Sequence, residues 1–113
     1  MLHIALHFLV PALISVAVAL WQSPNHVLKR ACLPFLLMMS TMVVDLDHLL
    51  ATPIYDPNRC SIGFHPLHEP LWWVVYVALL YPKKTRWLGL GLCLHMGLDA
   101  IDCQMTNGIW ITP

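Results

Sequence analysis

Residues 31–51 read ACLPFLLMMSTMVVDLDHLLA. The run is apolar for fourteen residues and then takes in Asp45, Asp47 and His48 before closing on Leu49, Leu50 and Ala51. A helix this long and apolar is suited to lipid, where about 20 such residues span the hydrocarbon layer. Yet an ionisable side chain inside a membrane helix costs at least ~2.5–3.5 kcal/mol on insertion scales and so needs a partner or a bound ion. On an α-helix Asp45 and His48, three residues apart, share a face, while Asp47 points elsewhere, toward a supporting partner or the helix end.

Three further apolar runs flank this one: residues 2–21, 70–82 and 87–103. The third is short, so it must borrow flanking residues or sit in a thinned bilayer. The whole chain of 113 residues is 58% hydrophobic and 11% charged, with mean hydropathy +0.67. That composition predicts a single integral-membrane domain, 1–113, built as an all-α bundle of four transmembrane helices. Zero formal net charge gives no footing for nucleic acid. The first run lacks a basic leader and a small-residue cleavage site, which favours a retained helix over a removable signal.

The connectors set an orientation. Lys29, Arg30, Lys83, Lys84 and Arg86 crowd into the short segments 22–30 and 83–86, whereas the long segment 52–69 holds Arg59 alone. By the positive-inside rule the short connectors are cytoplasmic, and both termini and the long loop lie outside. Trp21 and Trp87 suit the inner interface, and Tyr55, Trp72 and Trp73 the outer one. Cys60 and Cys103 then share the outer side, where an oxidising compartment would allow a disulfide; four free thiols is the equal alternative.

On the outer side the chain gathers all six carboxylates and six of its seven histidines. His3 and His7 are four apart, as are His95 and Asp99, and Asp102 extends the latter stripe. His65 and His68 flank Pro66 in the long loop. Four segments therefore aim imidazole and carboxylate at one layer, with almost no basic residue to neutralise them. A divalent cation is the economical counter-ion. The candidate ligands are His3, His7, Asp45, Asp47, His48, His65, His68, His95 and Asp99, more than one ion needs, which suggests either two or more ions with Asp45 or Asp99 as a bridging carboxylate, or one ion whose ligands are supported by the rest. Mixed His/Asp ligation suits zinc first, with manganese or iron as alternatives. Glu69, beside Pro70, caps the third helix or serves as a general base, and Arg59 could hold a phosphate oxygen. His26 lies apart from this group.

DLDH at 45–48, the paired histidines of FHPLHE at 64–69 and HMGLD at 95–99 carry a resemblance. The chain resembles a family of small bacterial inner-membrane proteins and, more distantly, is similar to membrane-bound metal-dependent hydrolases grouped with zinc-dependent phospholipase C enzymes. The larger hydrolases space their two loop histidines more widely than His65 and His68. The resemblance implies a helical membrane protein of the inner membrane, its zinc site facing the periplasm.

The expectation is therefore a membrane hydrolase acting on a phosphoester or ester of a lipid or lipid-linked substrate, with a homo-oligomer as an option. Three other classes compete. They are a b-type haem protein using His7 and His95, a cation transporter, and a non-catalytic subunit stabilised by metal.

Overall fold

The computed structural model describes residues 2–113. It is all-helical, with no strand among the described residues. Helix α1 spans Leu2–Gln22, α2 spans Val27–Ser40, α3 spans Trp72–Ala78 and α4 spans Arg86–Asn107. Without a break in the rod, α2 continues as a ten-residue 3₁₀ helix, Thr41–Leu50. Short 3₁₀ turns occupy Pro24–His26 and Pro66–His68. Two rods, His3–Gln22 and Pro24–Leu50, are long and apolar enough to cross a membrane.

The boundaries correct the sequence expectation in three places. The second helix begins at Val27 rather than residue 31, because Lys29 and Arg30 are good helix formers and the Pro24–His26 turn starts the rod just before them. The fourth runs past residue 103 to Asn107, where Gly108 takes a left-handed φ of 69° and its N–H closes on the Gln104 carbonyl. The third is α-helical over only seven residues, about 10 Å. Three-residue turns extend it at both ends, however, from the Glu69 carbonyl to the Tyr81 N–H. The hydrogen-bonded rod thus matches the apolar run 70–82, although its α-helical part is a third of a bilayer's hydrocarbon thickness.

Helices α1, α2 and α4 pack against one another, and α3 lies on α4. Gly91 brings α4 onto the α2 rod at the point where its winding changes. A Cβ there would meet Met38 Cα at 2.8 Å and the Thr41 methyl at 2.9 Å. One turn further along, that close approach delivers His95 opposite Asp45.

What the fold buries is as telling as how it packs. Met38, Ile62, Tyr76 and Met96 are buried, but so are His7, Asp47, His65, His68, His95 and Asp99. Leu9, Leu13, Leu20, Leu33, Leu36, Leu46, Val74 and Val77 are all exposed. Polar groups inside and leucines outside invert the usual soluble arrangement. Cys60 and Cys103 form a disulfide, Cα atoms 4.8 Å apart, which ties the long loop to the last turns of α4.

Candidate metal centre

The centre starts from the 3₁₀ winding. With three residues per turn, side chains three apart eclipse. Thr41, Val44 and Asp47 consequently form one buried file, and Asp45 and His48 stand on the next. Asp45 faces α4 and Asp47 faces the loop.

Asp47 organises the loop. Its Oδ2 accepts the Leu67 N–H at 2.8 Å and lies 3.0 Å from His68 Nδ1, and its Oδ1 lies 3.1 Å from His48 Nδ1. These three contacts position the loop, as expected for a residue pointing away from Asp45, and Asp47, His48 and His68 also form a set close enough to hold an ion. With Nδ1–H donated to a carboxylate, the His68 Nε2 faces inward, where loss of its proton would present the lone pair to a cation, the usual arrangement of a metal-binding imidazole.

Four atoms converge where His68 Nε2 points. His68 Nε2 is 3.2 Å from His95 Nε2, 3.5 Å from Asp45 Oδ1 and 3.1 Å from Asp99 Oδ2. His95 Nε2 is 3.1 Å from Asp45 Oδ1 and 3.6 Å from Asp99 Oδ2. Tetrahedral zinc with bonds of about 2.0–2.2 Å places its ligand atoms about 3.3–3.5 Å apart. Five of the six edges scatter around that value, and all four atoms lie within 4.8 Å of one another, spacings compatible with a single tetrahedral ion.

A second group shares one residue with the first. The other oxygen of Asp99, Oδ1, lies 3.1 Å from His3 Nε2 and 3.3 Å from His7 Nε2. The His7 imidazole is oriented by a hydrogen bond at its far nitrogen, and that of His3 has a carboxylate nearby. His7 Nδ1 is 3.0 Å from the His3 carbonyl, and His3 Nδ1 is 3.7 Å from Asp102 Oδ1. Asp99, on the face of α4 that meets both α1 and the loop, thus offers one oxygen to each group, as a bridging carboxylate does.

The electrostatics ask for positive charge here. Among the described residues, no Lys or Arg pairs with Asp45, Asp47 or Asp99; every ion-pair partner is a histidine. Burial alone would lower the His68 pKa, but Asp45, Asp99 and Asp47 outweigh it and push it up to about 10. His7 Nε2 and Asp99 Oδ2 are buried without a hydrogen-bond partner, although each stands within 3.3 Å of groups that a shared cation would satisfy.

The remaining candidates separate. His48 stands beside the first group, its Nδ1 on Asp47 and 3.6 Å from Asp45, its Nε2 3.3 Å from Ser61 Oγ. His65 is buried yet joins none of the converging groups. It stacks on His48 at 3.7 Å, and burial, then the neighbouring His48, lowers its pKa to about 4. Arg59 lies over the Phe64 ring at 4.7 Å and donates to the Pro53 carbonyl at 2.8 Å. Glu69 is exposed, makes no side-chain cap to α3, and stands outside the cleft described next. That cleft, of about 280 Å³, opens beside the two groups and is lined by His3, His48, His65, Arg59, Asp102 and Tyr55 among others.

Two contributors escaped the sequence reading. Trp72 Nε1 donates to the Pro66 carbonyl at 2.8 Å and Tyr76 Oη to the Leu67 carbonyl at 2.9 Å. Four residues apart on α3, they grip the segment that carries His68, so this short helix works as a strut for the ligand loop. A Trp and a Tyr four apart, each with one polar tip, was the available signal; the sequence reading took Trp72 as an interface anchor.

Residues 1–106 match DUF6122, a family of unknown function, and the chain belongs to it. Neither a curated protein nor a solved structure matches the chain.

Proposed function

We propose that the protein is an integral-membrane, metal-dependent hydrolase holding two divalent cations, zinc in the first instance. The observation that carries this reading is the convergence of His68, His95, Asp45 and Asp99 at tetrahedral ligand spacings, with Asp99 shared with His3 and His7. His68, His95, Asp45 and Asp99 would hold one ion, and His3, His7 and Asp99 the other. Such ions, when bound, lower the pKa of a coordinated water to about 7 and polarise an ester or phosphoryl oxygen. The chain's own residues hold the ligands still: Asp47 fixes His68, Asp102 steadies His3, and Trp72 and Tyr76 pin the loop. The cleft beside the cations admits the substrate, and Arg59 on its wall supplies the positive charge that an anionic substrate needs.

The membrane part of the proposal rests on the apolar exterior and the two long apolar rods. In this reading α4 also crosses the layer, and α3 enters it from the site end with its flanking turns. Lys29, Arg30, Lys83, Lys84 and Arg86 mark the cytoplasmic end, and the site faces the periplasm of the inner membrane. The Cys60–Cys103 disulfide stands at the site end, consistent with an oxidising compartment there. A lipid or lipid-linked ester is the substrate such a position favours.

Haem fits less well. The His7 and His95 rings are in edge-on contact, with centroids 4.6 Å apart, which leaves no room for a macrocycle between them. The test is metal analysis of detergent-purified protein together with hydrolysis of a panel of phospholipids and acyl esters. Wild type should carry metal and cleave a member of the panel, and Asp45→Ala should do neither while still inserting. Metal-free wild type that resists zinc loading would refute the proposal.

A further inference from the structure

The sequence presents His65 and His68 as an equivalent pair, but the fold gives them opposite surroundings. His68 is fully buried, and both its nitrogens are committed, Nδ1 to Asp47 and Nε2 to the converging group. His65 is 2% exposed, lies in none of the groups that could hold an ion, and its Nε2 is buried with no hydrogen-bond partner. A buried imidazole nitrogen left unpaired is expensive unless something else satisfies it.

The surroundings point to what that is. His65 lines the cleft together with Arg59 and Ser61. Phe64, next to His65 in the chain and 4.9 Å from it ring to ring, carries the Arg59 guanidinium on its face. Among the described residues the guanidinium makes one hydrogen bond, to the Pro53 carbonyl, which leaves further N–H groups for an anion. Asp56, also on the cleft wall, has an oxygen already taken by the Asn58 N–H at 2.9 Å. The lining also includes the exposed apolar side chains Ile4, Ile54 and Tyr55, together with His3 and Asp102. At about 280 Å³ the cleft is at the small end of ligand pockets and large enough for a phosphate and a compact headgroup.

We infer that His65 is a substrate-binding residue rather than a metal ligand, and that with Arg59 it forms a subsite for the phosphate of a small-headgroup phospholipid. This rests on the hydrolase reading and narrows it, from any ester to a phosphoester. Arg59 supplies charge and His65 a directional hydrogen bond, so a neutral carboxylic ester gains little from either.

The experiment compares wild type, Arg59→Gln, His65→Gln and His65→Asn. Metal content is measured for each, together with affinity for two probes. One is inorganic phosphate titrated in detergent; the other is phosphatidic acid in phosphatidylcholine nanodiscs. Arg59→Gln should weaken both about 10- to 100-fold and the His65 variants about 3- to 10-fold, with metal content unchanged in all. Binding of phosphatidic acid that exceeds that of free phosphate identifies the lipid as the source of the anion; equal affinities would overturn the lipid assignment. Loss of an ion from both His65 variants would overturn the inference, since His65 would then be a ligand. So would phosphate affinities within twofold of wild type. A wild type without metal would refute the hydrolase reading, and the same affinity ratios measured on that protein would still decide the subsite. Arg59 sits in a loop, so its variant reads out even if the His65 variants fail to fold.

Discussion

The rod from Val27 to Leu50 is wound in two ways, and the two halves do different work. Over Val27–Ser40 it is an α-helix whose leucines face outward. Over Thr41–Leu50 it is 3₁₀, a form that seldom runs beyond three or four residues and that often marks a functional segment. Exposed leucines continue into the second half at Leu46, Leu49 and Leu50, so apolar character does not distinguish the halves. The difference lies in register. Three-residue winding stacks Asp45 over His48 and puts Asp47 about 120° around from Asp45, so neighbouring carboxylates address two targets. Asp45 meets His95, while Asp47 holds His68 and the Leu67 amide. An α-helix would spread the same two aspartates about 160° apart, too wide for both to serve one centre.

The comparison can be broken most severely at the shared carboxylate. Asp99→Ala should strip both ions and reduce hydrolysis by three orders of magnitude or more, because the side chain serves both groups; metal analysis and turnover read this directly. Asp47→Ala should be gentler. It leaves every proposed ligand in place but frees His68, and loss of such a support typically costs 10–100-fold in metal affinity, measurable by competition with a chelating dye. The pH dependence should follow the same residue. His68 without metal stays protonated up to about 10, and a cation needs the neutral imidazole. Metal affinity should therefore fall about tenfold for each unit that the pH drops below about 10, neutrality included, with proton release seen on zinc addition. Tyr76→Phe removes one bond to the loop, worth about 1 kcal/mol, and should weaken zinc by about fivefold. At the far end of the scale, Leu36→Ala in the α-helical half should change zinc affinity by less than twofold.

Much of the side-chain pairing was legible beforehand because residues four apart on an α-helix share a face. His3 with His7, and His95 with Asp99, sit four apart on true α-helices, and those pairs meet as the periodicity says. The separate direction of Asp47 agrees with the helix spacing, and of the two open cysteine readings the structure has the Cys60–Cys103 bridge. The 3₁₀ winding of 41–50 was not legible, since TMVVDLDHLL carries no local breaker and its geometry follows from packing on α4 at Gly91. Nor was the split between His65 and His68, which depends on which side of the loop Asp47 grips. The start of α2 at Val27 was missed because its basic residues were read as a connector, although lysine and arginine extend helices readily.

The central claim is that Asp99 joins two cation sites at the polar end of an apolar bundle. Elemental analysis of zinc-reconstituted, detergent-purified wild type beside Asp99→Asn tests it most directly. Two equivalents per chain in wild type and none in the variant is the predicted result. No bound metal in wild type, or an unchanged count in the variant, would contradict it.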